Sequence, residues 1–317
     1  MRLAVTGAGG FVGRKLVQTL IERGQALGLT RLTVADAHLP DLGDAACLHA
    51  VEGDLADAEV RRRIIGEGVD VLIHLAAVPG GASEGDAALS RRVNLDATLS
   101  LFEAAAAATA RPRVVYTSTI AVFGARLPAL VDDHTPLGPE LTYGAHKMMV
   151  EVALADMSRR GEIDGLALRL PGVVARPGGA SGLRSAFMSD VFHALAAGRR
   201  FTSPVSPGAT MWLMSLGRCA DNLVHAATVS AGLLPARRVA TLPALRLTMA
   251  ELVAAIAQAV DADPSLVSYA PDAGLEALFG DYPLLETPAA YHAGFRHDGD
   301  AHALVARAFT DVRLVHP

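Results

Sequence analysis

Tyr143 and Lys147 stand four residues apart in the segment Thr142-Tyr143-Gly144-Ala145-His146-Lys147. On a helix this spacing puts both side chains on one face, one turn apart. A phenol with a pKa of about 10 is a poor base at neutral pH. A neighbouring ammonium stabilises the phenolate and lowers that pKa. The pair therefore suits removal of a proton from an alcohol, with Tyr143 as general base. Upstream, the apolar run Val114-Val115-Tyr116 ends in three hydroxyl residues, Thr117, Ser118 and Thr119, and is followed by Val122-Phe123-Gly124. A hydroxyl at such a strand end would hold the alcohol oxygen in place for the base.

A second group of residues lies at the start of the chain. Leu3-Ala4-Val5 runs into Thr6-Gly7-Ala8-Gly9-Gly10-Phe11-Val12-Gly13, and an amphipathic stretch follows with Val12, Leu16, Val17, Leu20 and Ile21. The glycines at 7, 10 and 13 form a GxxGxxG turn between strand and helix. Gly7 permits the tight turn, Gly10 removes a side chain that would block a pyrophosphate, and Gly13 lets helix and strand pack closely. The helix start, at Phe11 and Val12, offers unpaired N–H groups to phosphates. The second apolar run, Leu32-Thr33-Val34-Ala35, ends at Asp36. A carboxylate there accepts hydrogen bonds from ribose hydroxyls and repels a 2′-phosphate, which predicts NAD over NADP. Oxidised nicotinamide would add a second positive charge near Tyr143. Asp54 and Leu55 follow the third strand, where a carboxylate suits the adenine amino group. Leu75, Ala76 and Ala77 follow the fourth, where small residues let a cofactor lie against the chain. Asn94 is expected to support a strand end or an ordered water.

These residues need a scaffold. Short β-branched runs at 2–6, 31–35, 48–52, 70–75, 113–118 and 166–170 alternate with helical patterns at 11–24, 57–67, 87–109 and 142–160. Such alternation predicts an α/β fold, a Rossmann-like doubly wound parallel sheet with right-handed crossovers. The alanine run 104–108 fits a helix interior packed closely on the sheet. After about residue 170 the chain turns rich in Pro, Gly and Ser, with helical stretches at 183–197, 215–230, 248–260 and 298–309. This predicts an NAD-binding domain over 1–168 and a smaller, mainly helical substrate lobe over 169–317, with some segments returning to the first domain.

Composition narrows the partners. The chain has 317 residues, of which 51% are hydrophobic and 19% charged, so it is globular rather than disordered. A formal net charge of −5 gives no reason to expect nucleic acid or an anionic membrane. Cys47 and Cys219 lie far apart, which fits a reducing compartment better than a disulfide framework. The N-terminus reads as a strand and not as a leader peptide, and no apolar run is long enough to span a membrane, so a cytoplasmic location is expected. His292 and His297 lack metal-site company, and no metal is expected.

Taken together, GAGGFVG at 7–13, Asp36, Gly53-Asp54-Leu55, HLAA at 74–77, Asn94, TSTIAVFG at 117–124 and YGAHK at 143–147 make the chain resemble the extended short-chain dehydrogenase/reductases, the NAD-dependent epimerase/dehydratase family. The resemblance implies that Thr119 is the catalytic hydroxyl beside Tyr143 and Lys147, and that Lys147 also binds the nicotinamide ribose. It implies that Ser118, Pro171 and Val173 lie against the cofactor. It further implies a homodimer built on the stretches 87–109 and 142–160. Where nucleotide-sugar enzymes of the family continue Arg-Tyr-Phe-Asn, this chain has Arg169-Leu170-Pro171-Gly172. The sequences at 176–178, 204–207 and 211–215, with 158–161 and 293–296, are instead similar to the branch that oxidises D-erythronate, a four-carbon sugar acid. That branch commonly has Pro-Asn where this chain has Ala180-Ser181. An acid substrate needs a carboxylate anchor, for which Arg176 and Arg184 are candidates. Trp212 either walls the substrate pocket or fills the core between lobes. The expected activity is NAD-dependent oxidation of a secondary alcohol on a small hydroxy acid. The alternatives are a nucleotide-sugar epimerase or dehydratase, an enzyme like L-threonine 3-dehydrogenase (which Leu170-Pro171-Gly172 also resembles), or an NAD(H)-binding protein without turnover.

Overall fold

Each apolar run of the first half becomes a strand, with ends within two residues of those read from the sequence. The computed structural model describes residues 1–43, 45–177 and 184–315, with side chains to Asp311. Seven strands form one sheet in the order Val239–Thr241, Asp164–Leu170, Arg113–Thr119, Val71–His74, Arg2–Thr6, Arg31–Asp36, Leu48–Glu52. Every neighbouring pair is parallel. The inner strands are buried on both faces, which is why they read as continuous apolar runs rather than as alternation. Strand order reverses between Arg2–Thr6 and Val71–His74, and the crevice beyond these two strand ends is where a doubly wound sheet binds ligands. The hydroxyl of Thr6 and Nδ1 of His74 join the two strands there at 2.6 Å, and Nε2 of His74 lies 3.0 Å from the Thr98 hydroxyl. Burial, with Lys147 nearby, pushes the His74 pKa down to about 3, so the ring is a neutral hydrogen-bonding strut.

The second half divides its elements between two cores. The helix Leu216–Thr228 packs on the helix Phe11–Glu22, and its Leu223 shares one apolar cluster with Leu3, Leu16 and Leu20 of the large sheet. The strand Val239–Thr241 extends that sheet. The remaining elements build a separate layer. A three-stranded sheet, Leu245–Thr248, Thr210–Ser215 and Gly172–Val174, carries the helices Phe187–Ala196, Met249–Val260 and Ala301–Val315 on a second apolar cluster. The expected lobe is helical without these strands. Thr210–Ser215 is buried at every position and so lacks the alternation that marks a strand, while its partners are only three and four residues long.

Two other local differences have physical causes. The single helix expected over 87–109 is broken into Ala87–Ser90, a π-helical stretch Arg91–Ala97 and Thr98–Ala108. The widened turn turns Asn94 inward, and the Thr98 hydroxyl donates to the Val93 carbonyl five residues back. The expected helix 183–197 forms over Phe187–Ala196; its first position, like Ala180 and Ser181, lies outside the described residues. Among the described residues no helix is long and apolar enough to cross a membrane, and no cluster of His, Cys, Asp or Glu could hold a metal ion.

Candidate active site

The glycine turn caps the sheet crevice. Gly7 has φ +73°, and a Cβ there would sit 2.6 Å from the Ala76 backbone nitrogen. A Cβ on Gly13 would run into the Gly7 carbonyl oxygen. The turn is thus pressed against both its own helix and the 75–76 strand end, so neither position admits a side chain without a backbone shift. The helix Phe11–Glu22 begins at Gly10 with no side chain capping it, which leaves its first N–H groups for a ligand. A cavity of about 510 Å³ opens in front of the turn, lined by Gly7, Gly10, Asp36, Asp54, Leu55, Leu75, Ala76 and Ala77 among others. Asp36 accepts the Gly9 N–H at 2.9 Å, which fixes its carboxylate at the end of the second strand, facing this cavity. The residues that follow Asp36 are Ala37 and His38, which do not offer the guanidinium or ammonium that a 2′-phosphate would need. The shape and charge of this half fit an adenosine diphosphate with free ribose hydroxyls.

Asp54 and Asn94 are both engaged within the protein. Asp54 accepts the Ala56 N–H at 2.9 Å and pairs with Arg92 at 3.0 Å. Buried Asn94 clamps the backbone of Val78 in both directions, accepting its N–H at 2.7 Å and donating to its carbonyl at 2.9 Å. It holds the loop after the fourth strand, a supporting role.

The reactive half begins where the helix Thr142–Arg159 starts. The Thr142 N–H donates to the Glu84 carboxylate at 2.5 Å. One turn on, Lys147 is 2% exposed. Its Nζ donates to the Thr117 carbonyl at 2.7 Å, lies over the Tyr116 ring at 4.6 Å and sits 5.6 Å from the centre of the Tyr143 ring. Burial holds the Lys147 pKa down to about 7, with the Glu151 carboxylate acting in the other direction. Tyr143 and Thr119 line a second cavity of about 470 Å³. Thr119 ends the fifth strand and accepts the Ala121 N–H at 3.2 Å, which leaves its hydroxyl hydrogen to donate. Contrary to the expectation of a lowered value, the Tyr143 pKa is raised. Desolvation outweighs the charges around it, and the cation that opposes the rise is Arg176.

Ser118 corrects another expectation. Its hydroxyl does not face a cofactor but donates to Glu151 at 2.5 Å, deep in the protein. Glu151 is 3% exposed and accepts two bonds from Arg169, at 3.0 and 2.7 Å; the guanidinium in turn lies 5.0 Å from the Phe123 ring centre. This buried pair ties the Tyr143–Lys147 helix to the sixth strand and to the strand end that carries Thr119. Spacing held the signal, since Glu151 follows Lys147 by one further turn. Breaking such a pair from one side leaves a buried charge uncompensated, which costs about 3–5 kcal/mol. Glu151→Gln should lower unfolding stability by that order in a urea titration. Losing the carboxylate also lowers the Lys147 pKa, so the limb of the pH–rate profile set by loss of the Lys147 proton should move to lower pH. A purely structural role for Glu151 would leave that limb in place.

The loop residues separate by depth. Pro171 lines the second cavity, whereas Val173 is packed in the first apolar cluster. Arg176 also lines the cavity; its Nε donates to the Val173 carbonyl at 3.3 Å and its guanidinium lies 5.8 Å from the Phe11 ring centre. Arg184 is exposed at the rim. Trp212 is 1% exposed and lines the cavity from within the core. Its indole N–H donates to the Pro283 carbonyl at 2.8 Å and its ring packs on Tyr282 at 4.8 Å. It backs the cavity wall rather than presenting a polar group. Leu278, Phe279 and Tyr282 also line the cavity; Leu275, Leu278 and Phe279 recur at helical spacing, a short signal for the helix Ala273–Phe279 that sequence reasoning missed.

Known proteins are similar to this chain over most of its length. The model of the NAD-dependent epimerase/dehydratase family matches residues 3–211. A D-erythronate dehydrogenase of Cupriavidus necator is 35% identical over 99% of both chains. Another from Haemophilus influenzae is 29% identical over 81% of this chain and 82% of its own. Among solved structures, a nucleoside-diphosphate-sugar epimerase from Agrobacterium tumefaciens superposes with a TM-score of 0.88 at 31% identity, covering 96% of this chain and 92% of its own. With the glycine turn, the Asp36 strand end and the seven-stranded parallel sheet, these matches place the chain in the NAD-dependent epimerase/dehydratase family, with NAD as its cofactor.

Proposed function

We propose that this NAD-dependent oxidoreductase oxidises a secondary alcohol on a small hydroxy acid, with sugar acids of the D-erythronate kind as the first choice. The observation that carries this reading is the convergence of Tyr143, Thr119 and Arg176 on one cavity beyond the glycine turn. Thr119 donates a hydrogen bond to the alcohol oxygen, and Tyr143 takes the hydroxyl proton as the carbonyl forms. NAD, which the glycine turn and Asp36 would hold, would supply the hydride acceptor, so that the products would be a ketone, NADH and a proton. The Lys147 ammonium would hold the nicotinamide ribose, and Arg176 is the cation that favours the Tyr143 phenolate. The substrate carboxylate meets a guanidinium, from Arg176 within the cavity or Arg184 at its rim.

The epimerase reading has the Agrobacterium relative in its favour, but Gly172 weighs against it. A Cβ at Gly172 would lie 3.1 Å from the Trp212 carbonyl oxygen and 3.2 Å from the Leu213 side chain. The position where nucleotide-sugar enzymes carry Asn has no side chain here, and a side chain there would require its neighbours to give by a few tenths of an ångström. Purified protein with NAD, presented with sugar acids, L-threonine and UDP-sugars, discriminates the readings. NADH formation with acids alone supports the proposal, and turnover of UDP-sugars without net NADH supports the epimerase. NAD binding with no turnover of any kind supports a binding protein.

We also propose a homodimer. Met149 and Val152, three residues apart on the Tyr143 helix, are 49% and 66% exposed, and a second copy packed along this helix would cover them. Light scattering at micromolar concentration should give twice the chain mass for the native protein and the single mass for Val152→Asp. A native monomer contradicts the proposal.

A further inference from the structure

The cavity holding Tyr143 and Thr119 is lined by two chemically unlike groups. Arg176 and Arg184 bring cationic side chains to it. Leu278 and Phe279, from the end of the helix Ala273–Phe279, line it as well, together with Tyr282. Phe279 and Tyr282 are anchored in apolar clusters, and the Tyr282 ring lies on Trp212 at 4.8 Å. Leu278 belongs to none of the four apolar clusters, although it is half-buried. Its side chain has the cavity, and not the core, as its surroundings. Leu278 and Phe279 offer no side-chain donor or acceptor, so hydroxyls of a polyhydroxylated acid pressed on these two would lose hydration without compensation. An alkyl or aromatic group would gain there by leaving water.

We infer that the preferred substrate is a hydroxy acid whose chain continues beyond the reacting carbon as an apolar group. Its carboxylate lies toward Arg176 and Arg184, its hydroxyl on Tyr143 and Thr119, and its tail on Leu278, Phe279 and Tyr282. This rests on the hydroxy-acid reading above and departs from it in the tail, where likeness to known dehydrogenases suggests a sugar acid and the cavity lining favours an apolar group.

The test is a comparison of kcat/KM with NAD for D-erythronate, 2- and 3-hydroxybutanoate, and 2- and 3-hydroxyhexanoate. A hexanoate should exceed both its butanoate counterpart and D-erythronate by about tenfold or more, the discrimination an apolar pocket gives to added methylenes. Leu278→Asn should reduce the hexanoate-to-butanoate ratio severalfold; the chain-length series on the native protein decides the matter even if this variant does not fold. If D-erythronate is the best substrate and lengthening the chain brings no gain, the inference is overturned while the hydroxy-acid reading stands. If none of the acids yields NADH, both are overturned together.

Discussion

Tyr143→Phe should lose about 10²- to 10⁴-fold in kcat while binding NAD within a factor of two of the native protein. The substitution removes one oxygen and keeps the ring. That oxygen is the only group of the proposed chemistry placed to take the alcohol proton, with Thr119 beside it on the same cavity. The ring packs near Lys147, 5.6 Å from Nζ, and this packing survives in phenylalanine. Binding of NAD rests mainly on the glycine turn and Asp36 at the other end of the crevice, which the substitution does not touch. Single-turnover kinetics with NAD binding followed by protein fluorescence separates the two effects. Retained kcat would reject Tyr143 as the base, and loss of NAD binding together with kcat would make its role structural.

Lys147→Met should abolish most turnover and leave the protein as stable as the native chain or more so. A buried ammonium is poorly solvated, and its pKa falls from 10.5 to about 7. The unfolded chain holds the proton more tightly, so the native state is penalised wherever Lys147 is charged. The penalty is present in full below pH 7 and is relieved as pH climbs from about 7 toward 10.5. At neutral pH it is on the order of 4 kcal/mol, offset by the bond to the Thr117 carbonyl and the contact with Tyr116. Methionine fills nearly the same space without the charge. The native protein should therefore gain stability in urea titrations between neutral and mildly alkaline pH through this group, and the variant should lack that gain. A group kept at such cost is expected where activity requires it. A variant that is both inactive and destabilised by several kcal/mol at neutral pH would contradict this view of Lys147.

The parallel sheet was legible because its strands are buried on both faces and its turns carry glycines with distinct steric roles, as at Gly7 and Gly13. The positions of the proposed reactive residues were legible for a similar reason: Thr119, Tyr143 and Lys147 each sit at or near the start or end of a regular element, where spacing translates directly into position. Residues that act through burial were harder to see. Ser118 and Glu151 look like ordinary polar residues until the sixth strand brings Arg169 against them. The raised pKa of Tyr143 depends on how much water the second lobe excludes, which local sequence does not encode. The three-stranded sheet escaped notice because its central strand is buried at every position and its partners are only three and four residues long, and the wall at Leu278–Tyr282 because a short helix end and the residues after it meet there. The π-helical turn at Asn94 shows the same limit: a helical pattern continues through it, and only the clamp on Val78 explains the extra residue.

The most direct test of the account is a stoichiometric one. The protein is incubated with excess NAD and a hydroxy acid, and NADH and the keto product are counted together. The account predicts equal amounts of both, growing with each turnover and lost in Tyr143→Phe, and none with UDP-sugars. Conversion of a UDP-sugar without accumulation of NADH, in a preparation that forms no NADH from any hydroxy acid, would contradict it.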